Sequence, residues 1–376
     1  VAWWKDQVKA NILDFGVAAT WNDNNEFEIW SPKALAKGLA APARETRAVQ
    51  PILMMRASRA AQIEHAPGKR PYVVTRSGCV GMHRYAQTWS GDNATSWETL
   101  RYNIKMGLGL ALSGISNSGH DVGGFFGPPP DPELLTRWAE FGVFMPRFSI
   151  HSWNDDGSVN SPWMHEAVAD KVAALMRLRV RMQPYLHYLS WRYASNFEPI
   201  WRPTFYDFPS DPAAWDENDE FMLGPSLLVA PVVTPGAVKR ALTAPAGADW
   251  IDPWTGTRIT GGRVAVLDAP LGRPTILARV GSLIPVNRAP ARFGDETLER
   301  GFMFFPPDAG EVSIELFDDD GESAVDLAGA TPAIRIVARC DDGTIEVSVT
   351  GLAGLKPEAF ILPPSEKRAL VVNSSA

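Results

Sequence analysis

Two aspartates, each a short step beyond a tryptophan, are the residues best suited to bond-breaking chemistry: Asp23 in Trp21-Asn22-Asp23 and Asp92 in Trp89-Ser90-Gly91-Asp92. A carboxyl group is a nucleophile when ionised and a general acid when protonated. Two of them held ~5–5.5 Å apart can cleave a glycosidic bond with retention, one attacking the anomeric carbon and the other protonating the leaving oxygen. Neighbouring residue types suit the same chemistry. Trp21, Trp89, Phe125 and Trp153 offer flat apolar faces for the C–H patches of a sugar, and Arg76, Asp121 and His151 offer donors and acceptors for its hydroxyls. Taken singly, each has a structural explanation, since a strand-end Asp is commonly a cap or an ion-pair partner and a Trp commonly core. Their recurrence at successive strand ends favours the chemical reading.

Other chemistries fit less well. There is no G-x-S-x-G elbow, no H-E-x-x-H pair and no G-x-x-x-x-G-K-[ST] loop. The stretch GHDVGGFFG at 119–127 lacks the G-x-G-x-x-G order, and its Asp would repel a phosphate. A metal held by His120, Asp121 and His151 is the weaker alternative to plain hydrogen bonding. His65, His165 and His187 read as structural.

The elements that must position these groups follow from hydrophobic periodicity. The first residues read as an amphipathic helix, with Trp4, Val8, Ile12 and Phe15 on one face, ending at Gly16. Strands are expected at 17–20, 70–75, 86–90, 115–118 and 148–151, and helices at 53–66, 96–113, 132–144 and 164–197. Strict alternation of strand and helix implies a parallel sheet with crossover helices, whose carboxyl-end loops build the site. Beyond Pro199 the pattern changes to short β-branched runs at 229–233, 274–279, 313–317, 333–338 and 344–349, bounded by Gly, Pro and Asp. That is an all-β region. The acidic stretch 207–219 lies near the transition, and 287–295 divides the β region into two sandwiches.

Composition narrows the class. The 376 residues are 45% hydrophobic and 21% charged, with 31 Gly and 31 Pro, which describes a folded, turn-rich chain of two or three domains. A formal charge of −7 without a long Lys/Arg block argues against a nucleic-acid partner. No apolar run approaches the ~18 residues of a membrane helix, so no membrane partner is expected. Cys79 and Cys340 are too few and too far apart for a disulfide framework and read as free thiols.

The motifs together resemble glycoside hydrolase family 31. WNDNNE (21–26), TRSGCVGMHRYAQTWSGDN (75–93), SGHDVGGF (118–125) and the strand ending at His151 match its barrel in order and spacing. MLGPSLLVAPVV (222–233), DWIDPWTGT (249–257), RVGSLIPV (279–286) and FDDDGES (317–323) look like its two C-terminal β-domains. The resemblance implies the later part of a (β/α)8 TIM barrel at 1–197, strands four to eight, followed by all-β sandwiches at 198–287 and 288–376. It implies a retaining exo-acting α-glycosidase, most often an α-glucosidase, that needs no cofactor or metal and acts on an oligosaccharide or small α-glycoside. The same family includes α-xylosidases, α-galactosidases, α-N-acetylgalactosaminidases and transglycosylases; a carbohydrate-binding homologue without catalysis is the remaining class. Carried over residue by residue, Asp23 is the nucleophile and Asp92 the acid/base. Arg76 and His151 bind sugar hydroxyls, and Trp21, Trp89, Asp121 and Phe125 line the pocket.

One departure stands out: the residue after the nucleophile is Asn24, where the family pattern has Met. Asn24 is therefore expected to add a hydrogen-bonding amide at the sugar pocket and to alter substrate preference. The segment between Asn25 and the next helix is short and Ala-rich, so an abbreviated loop is expected there. Five strands do not close an eight-stranded barrel. The expectation is a C-terminal portion of a longer enzyme whose N-terminal half, another part of the same polypeptide, completes the barrel.

Overall fold

The structure is a computed structural model and describes residues 1–29, 31–36, 41–216, 219–288, 299–326 and 329–375. Helix α1 (Ala2–Asn11) runs into a short 3-10 turn, Leu13–Phe15, that Gly16 closes in the left-handed conformation (φ 85°). Val8 and Leu13 are buried against Ala61, whereas Phe15, expected on the buried face, is exposed. The α-helix stops at Asn11 and Ile12 leaves the helical conformation (φ −132°), so the helical spacing does not carry through to Phe15 and Leu13 is buried instead.

Five strands then form one parallel sheet in chain order: β1 (Ala19–Asn22), β2 (Tyr72–Thr75), β3 (Gln87–Trp89), β4 (Ser118–Asp121) and β5 (Arg147–Ser149). Between them lie α2 (Gln50–His65), α3 (Trp97–Leu112) and α4 (Pro132–Gly142), and α5 (Glu166–Asn196) follows. Two helices start where capping chemistry dictates. The Thr99 N–H donates to the Ser96 hydroxyl (3.1 Å), and the Leu134 N–H donates to Asp131 (2.8 Å) ahead of a Pro at the first helical position.

Strand β4 is displaced from the expected 115–118 to Ser118–Asp121. Apolar content misleads here: all four residues are buried, yet they are Ser, Gly, His and Asp, because one face of the strand meets a polar site. The other strand boundaries of this sheet move by at most two residues.

Beyond α5 the architecture is all-β and mostly antiparallel, with two parallel pairs, Arg300–Phe305 beside Phe360–Ile361 and Thr344–Thr350 beside Ala369–Ser375. A six-stranded sheet has the spatial order Arg258–Thr260, Asp249–Ile251, Ile276–Arg279, Leu227–Val229, Phe221–Leu223 and Trp201–Arg202, flanked by the pair Lys239–Thr243 and Val264–Asp268. A three-stranded sheet (Ser282–Asn287, Arg300–Phe305, Phe360–Ile361) and a four-stranded sheet (Gly310–Leu316, Ile334–Cys340, Thr344–Thr350, Ala369–Ser375) enclose a second core around Phe302, Phe304, Ile336 and Val347. The strand Ser282–Asn287 pairs forward with Arg300–Phe305, so it ties the two β-regions together. Most of 287–295, read as their divider, lies outside the described residues, as do parts of the acidic stretch 207–219 and of the Ala-rich segment after Asn25.

The largest core lies between sheet and helices. Trp138, Phe141, Trp201 and Phe221 pack there with no exposure, joining α4 to the six-stranded sheet. Gly107 of α3 is required for this packing, since a Cβ there would lie 1.8 Å from the Trp201 ring.

Candidate active site

The five-stranded sheet curls so that side chains of its first and last strands meet across its concave face. Trp21 on β1 lies 4.9 Å, centroid to centroid, from Trp89 on β3, and the Arg147 guanidinium of β5 sits 4.7 Å over Trp21 and 5.8 Å from Trp89. Inward side chains from alternate strands forming one layer is the packing of a barrel interior. The His151 ring completes the rim, 5.6 Å from Trp21 and 5.2 Å from Phe125. Among the described residues, one mouth therefore gathers Trp21, Trp89, Phe125 and His151, as their positions at strand ends imply.

Arg76, just beyond β2, is the hub of the charged groups. Its Nη1 lies 3.1 Å from Asp23 and 3.4 Å from Asp92, so these two carboxylate oxygens are no more than about 6.5 Å apart. That limit is compatible with the ~5–5.5 Å separation of a retaining pair and lies at the lower edge of the ~6.5–9.5 Å separation of an inverting one. Both aspartate side chains are roughly half exposed at the rim, where a substrate can reach them. The Asn24 N–H donates to Asp23 Oδ1 (2.8 Å). Asn24 takes a left-handed backbone, φ 49°, which Asn tolerates better than most residues. Its amide oxygen accepts from Arg76 Nη2 at 2.6 Å, so the expected extra amide is directed at the arginine.

Asn25 pins this loop to β2. Its Nδ2 donates to Thr75 Oγ1 (2.8 Å), and its Oδ1 accepts from the Ser77 N–H (2.9 Å). Glu26 follows and pairs with Arg76 through both carboxylate oxygens, 2.6 and 3.1 Å. The Arg76 hydrogen bond holds the Glu26 carboxyl below its ordinary range against the opposing effect of burial.

Asp121 lies at the carboxyl end of β4 with no exposed surface. Burial raises its carboxyl to about 7, the Arg147 charge opposes the rise, and the Asp92 and Asp23 charges add to it. Arg147 is 3.7 Å away, an ion pair too long for a hydrogen bond. Strand alternation sends the preceding His120 to the opposite face, 6.2 Å from Phe141 and 6.0 Å from Trp201, where burial lowers its imidazole to about 3. His120 therefore cannot join Asp121 and His151 around one metal ion. Trp153 is 74% exposed, and its N–H donates to the Phe125 carbonyl at 2.7 Å, so it stands outside the aromatic cluster on an anchored loop.

Two residues of this arrangement escaped the sequence reading. Glu26 stands in the WNDNNE motif, where its charge three residues after Asp23 was the available signal. Arg147 carried none, since it precedes the strand expected at 148–151 and joins β5 only in the structure.

Comparisons with known proteins address the family and the fold. A family model described as "Glycosyl hydrolases family 31 TIM-barrel domain" matches residues 1–189, and "Glycosyl hydrolase family 31 C-terminal domain" matches 197–284. An α-glucosidase 2 of Bacillus thermoamyloliquefaciens is 31% identical over 332 residues, covering 85% of this chain and 41% of the relative. An α-xylosidase of Saccharolobus solfataricus is 29% identical over 334 residues, covering 82% of this chain and 43% of the relative. The solved Flavobacterium johnsoniae GH31 dextranase complexed with glucose superposes with a TM-score of 0.84 at 27% identity, over 96% of this chain and 47% of that one. The chain thus spans less than half the length of these relatives.

Proposed function

The chain belongs to glycosyl hydrolase family 31, and on that premise we propose that it carries the catalytic pair of a retaining exo-acting α-glycosidase, with terminal α-linked glucose as the sugar released. The observation that carries this reading is the approach of Asp23 and Asp92 to one nitrogen of Arg76. The α-glucosidase among the relatives favours the sugar.

In the first step an oxygen of ionised Asp23 bonds to the anomeric carbon, the glycosidic C–O bond breaks, and Asp92 gives its proton to the departing oxygen. In the second, Asp92, now ionised, takes a proton from water as that water's oxygen bonds to the anomeric carbon. The bond to Asp23 breaks, which regenerates both groups. Trp21, Trp89 and Phe125 provide apolar walls for the sugar, and His151 and Asp121 hold its hydroxyls. Arg76 provides the positive charge between the two carboxylates, with Asn24 beside it. The remaining barrel strands would come from the N-terminal half of the same enzyme, and the proposed division of this chain is 1–197, 198–287 and 288–376.

The test is trapping with 5-fluoro-α-glucosyl fluoride, followed by peptide mass spectrometry. Label on the peptide containing Asp23 is expected, and label on any other carboxylate would remove Asp23 from the role. Rates on the p-nitrophenyl α-glycosides of glucose, xylose, galactose and N-acetylgalactosamine, highest on glucose, check the sugar.

A further inference from the structure

We infer that Glu26, assisted by Asn24, is a positioning residue that holds Arg76 as a shared bridge between Asp23 and Asp92. The inference rests on the two-carboxylate reading above and assigns a task to a third carboxylate. A guanidinium presents five N–H donors in one rigid plane. Glu26 takes the edge formed by Nε (2.6 Å) and Nη2 (3.1 Å), and the Asn24 carbonyl takes a further Nη2 donor (2.6 Å). Only Nη1 is left for the aspartates, 3.1 Å from one and 3.4 Å from the other. A plane held along one edge cannot turn to clasp either aspartate with two nitrogens.

The holder is itself held. Arg47 Nε donates to the Glu26 carbonyl (3.0 Å), and the buried Asn25 bonds to Thr75 and Ser77 at the end of β2. Arg76 leaves that same strand end, its N–H donating to the Asn22 carbonyl at 3.1 Å. The geometry of the bridge is therefore set by β1 and β2.

This arrangement has consequences for both chemical steps. Freed from Glu26, the guanidinium would move to the stronger two-nitrogen pairing with Asp23. The lone pairs needed for attack would be tied up, and Asp92 would lose its cation. Once Asp23 has become a neutral ester, a guanidinium kept in place faces Asp92 as the remaining aspartate. There its charge sits beside the carboxylate that receives a proton from water. The charged groups around this bridge are Asp23, Asp92, Glu26 and, more distantly, Arg47 and Asp121.

The test is rapid-quench and steady-state kinetics of E26Q and E26D in the full chain, on 2,4-dinitrophenyl α-glucoside across pH. For E26Q, kcat is expected to fall by about 100-fold, the cost of a misplaced catalytic group, with the limbs of the kcat–pH profile displaced and KM little changed. E26D, which keeps the charge, is expected to recover about tenfold of the loss. An E26Q enzyme with wild-type kcat and pH profile overturns the inference. So does equal loss in both variants accompanied only by a lower melting temperature, which marks a structural ion pair. Should E26Q fail to fold, N24A reports on the same bridge and is expected to lower kcat several-fold with the same displacement of the pH limbs; an unmoved profile overturns the inference. D23N separates the two readings. Full activity in D23N rejects the two-carboxylate reading, whereas inactive D23N with wild-type E26Q rejects the positioning role alone.

Discussion

Two arginine–carboxylate pairs are buried in the α/β part of the chain, and they are completed differently. On α4, Arg137 Nη1 reaches both oxygens of Glu140 (3.1 and 2.8 Å), while its Nη2 donates to the carbonyls of Ala237 (2.8 Å) and Ala269 (2.7 Å). The Gly272 N–H adds a bond to Glu140 at 2.6 Å. At the end of β4, by contrast, Asp121 and Arg147 stay 3.7 Å apart, and neither Asp121 oxygen has a hydrogen-bond partner among the described residues. Arg147 spends its charge on the faces of Trp21 and Trp89. Apart from the Arg137 Nε, which has no partner among the described residues, the first pair uses its bonding capacity to join the helix layer to the β-region. The second retains capacity. An under-bonded buried charge is costly, and burial accordingly raises the Asp121 carboxyl.

Breaking the completed pair should have the largest effect on stability. Glu140→Leu leaves the Arg137 charge buried without its carboxylate and is expected to lower the unfolding free energy by ~3–5 kcal/mol in chemical denaturation. A loss of less than about 1 kcal/mol, the value of an exposed pair, would erase the contrast between the two sites.

The incomplete pair should reveal itself through pH. The Asp121 carboxyl is raised to about 7 in the folded chain and ionises near 3.9 when unfolded. Between those values the unfolded chain binds fewer protons, so this group makes stability fall as pH rises from about 4 to about 7. Its contribution is flat on either side of that window. Asp121→Asn removes the slope, a difference of a few kcal/mol at about 1.4 kcal/mol per pKa unit. Denaturation of both proteins across that window checks it; identical slopes would mean that burial does not raise the Asp121 carboxyl.

The smallest effect is expected at the rim. Asn24→Met places a bulkier side chain at φ 49°, costing about 1 kcal/mol, and removes an acceptor from Arg76. Activity should fall a few-fold, with altered ratios over a panel of aryl α-glycosides. Equal activity across the panel would count against the Arg76 bridge, as an unmoved N24A profile would.

Much of this was legible in the chain itself. Alternation of apolar strands with helical stretches announced the parallel sheet, and the polar and aromatic residues following five strands marked its working end. The buried strand β4 was legible only in part, since Ser-Gly-His-Asp carries no apolar signature although all four side chains are inside. Leu13 is buried in place of Phe15 because the α-helix stops at Asn11 and its spacing does not carry through. The sequence-based metal alternative fails because His120 and Asp121 are neighbours in the chain and lie on opposite faces of the strand.

What the sequence by itself determined is the inventory of the site: which residue types stand at which strand ends, since strand period and turn chemistry are local properties. Only the tertiary structure decided how they combine. Sheet curvature carries Arg147 of β5 onto Trp21 of β1, and the packing of β1 beside β2 gives Arg76 to Glu26, Asn24, Asp23 and Asp92 at once. Charge sharing depends on distances of a few ångströms between residues that lie 16 positions (Arg76 and Asp92) or 52 positions (Arg76 and Asn24) apart, and no local pattern encodes those. The physical reason is that a Coulomb interaction or hydrogen bond falls away within that range, so a partner is assigned only when the fold has closed.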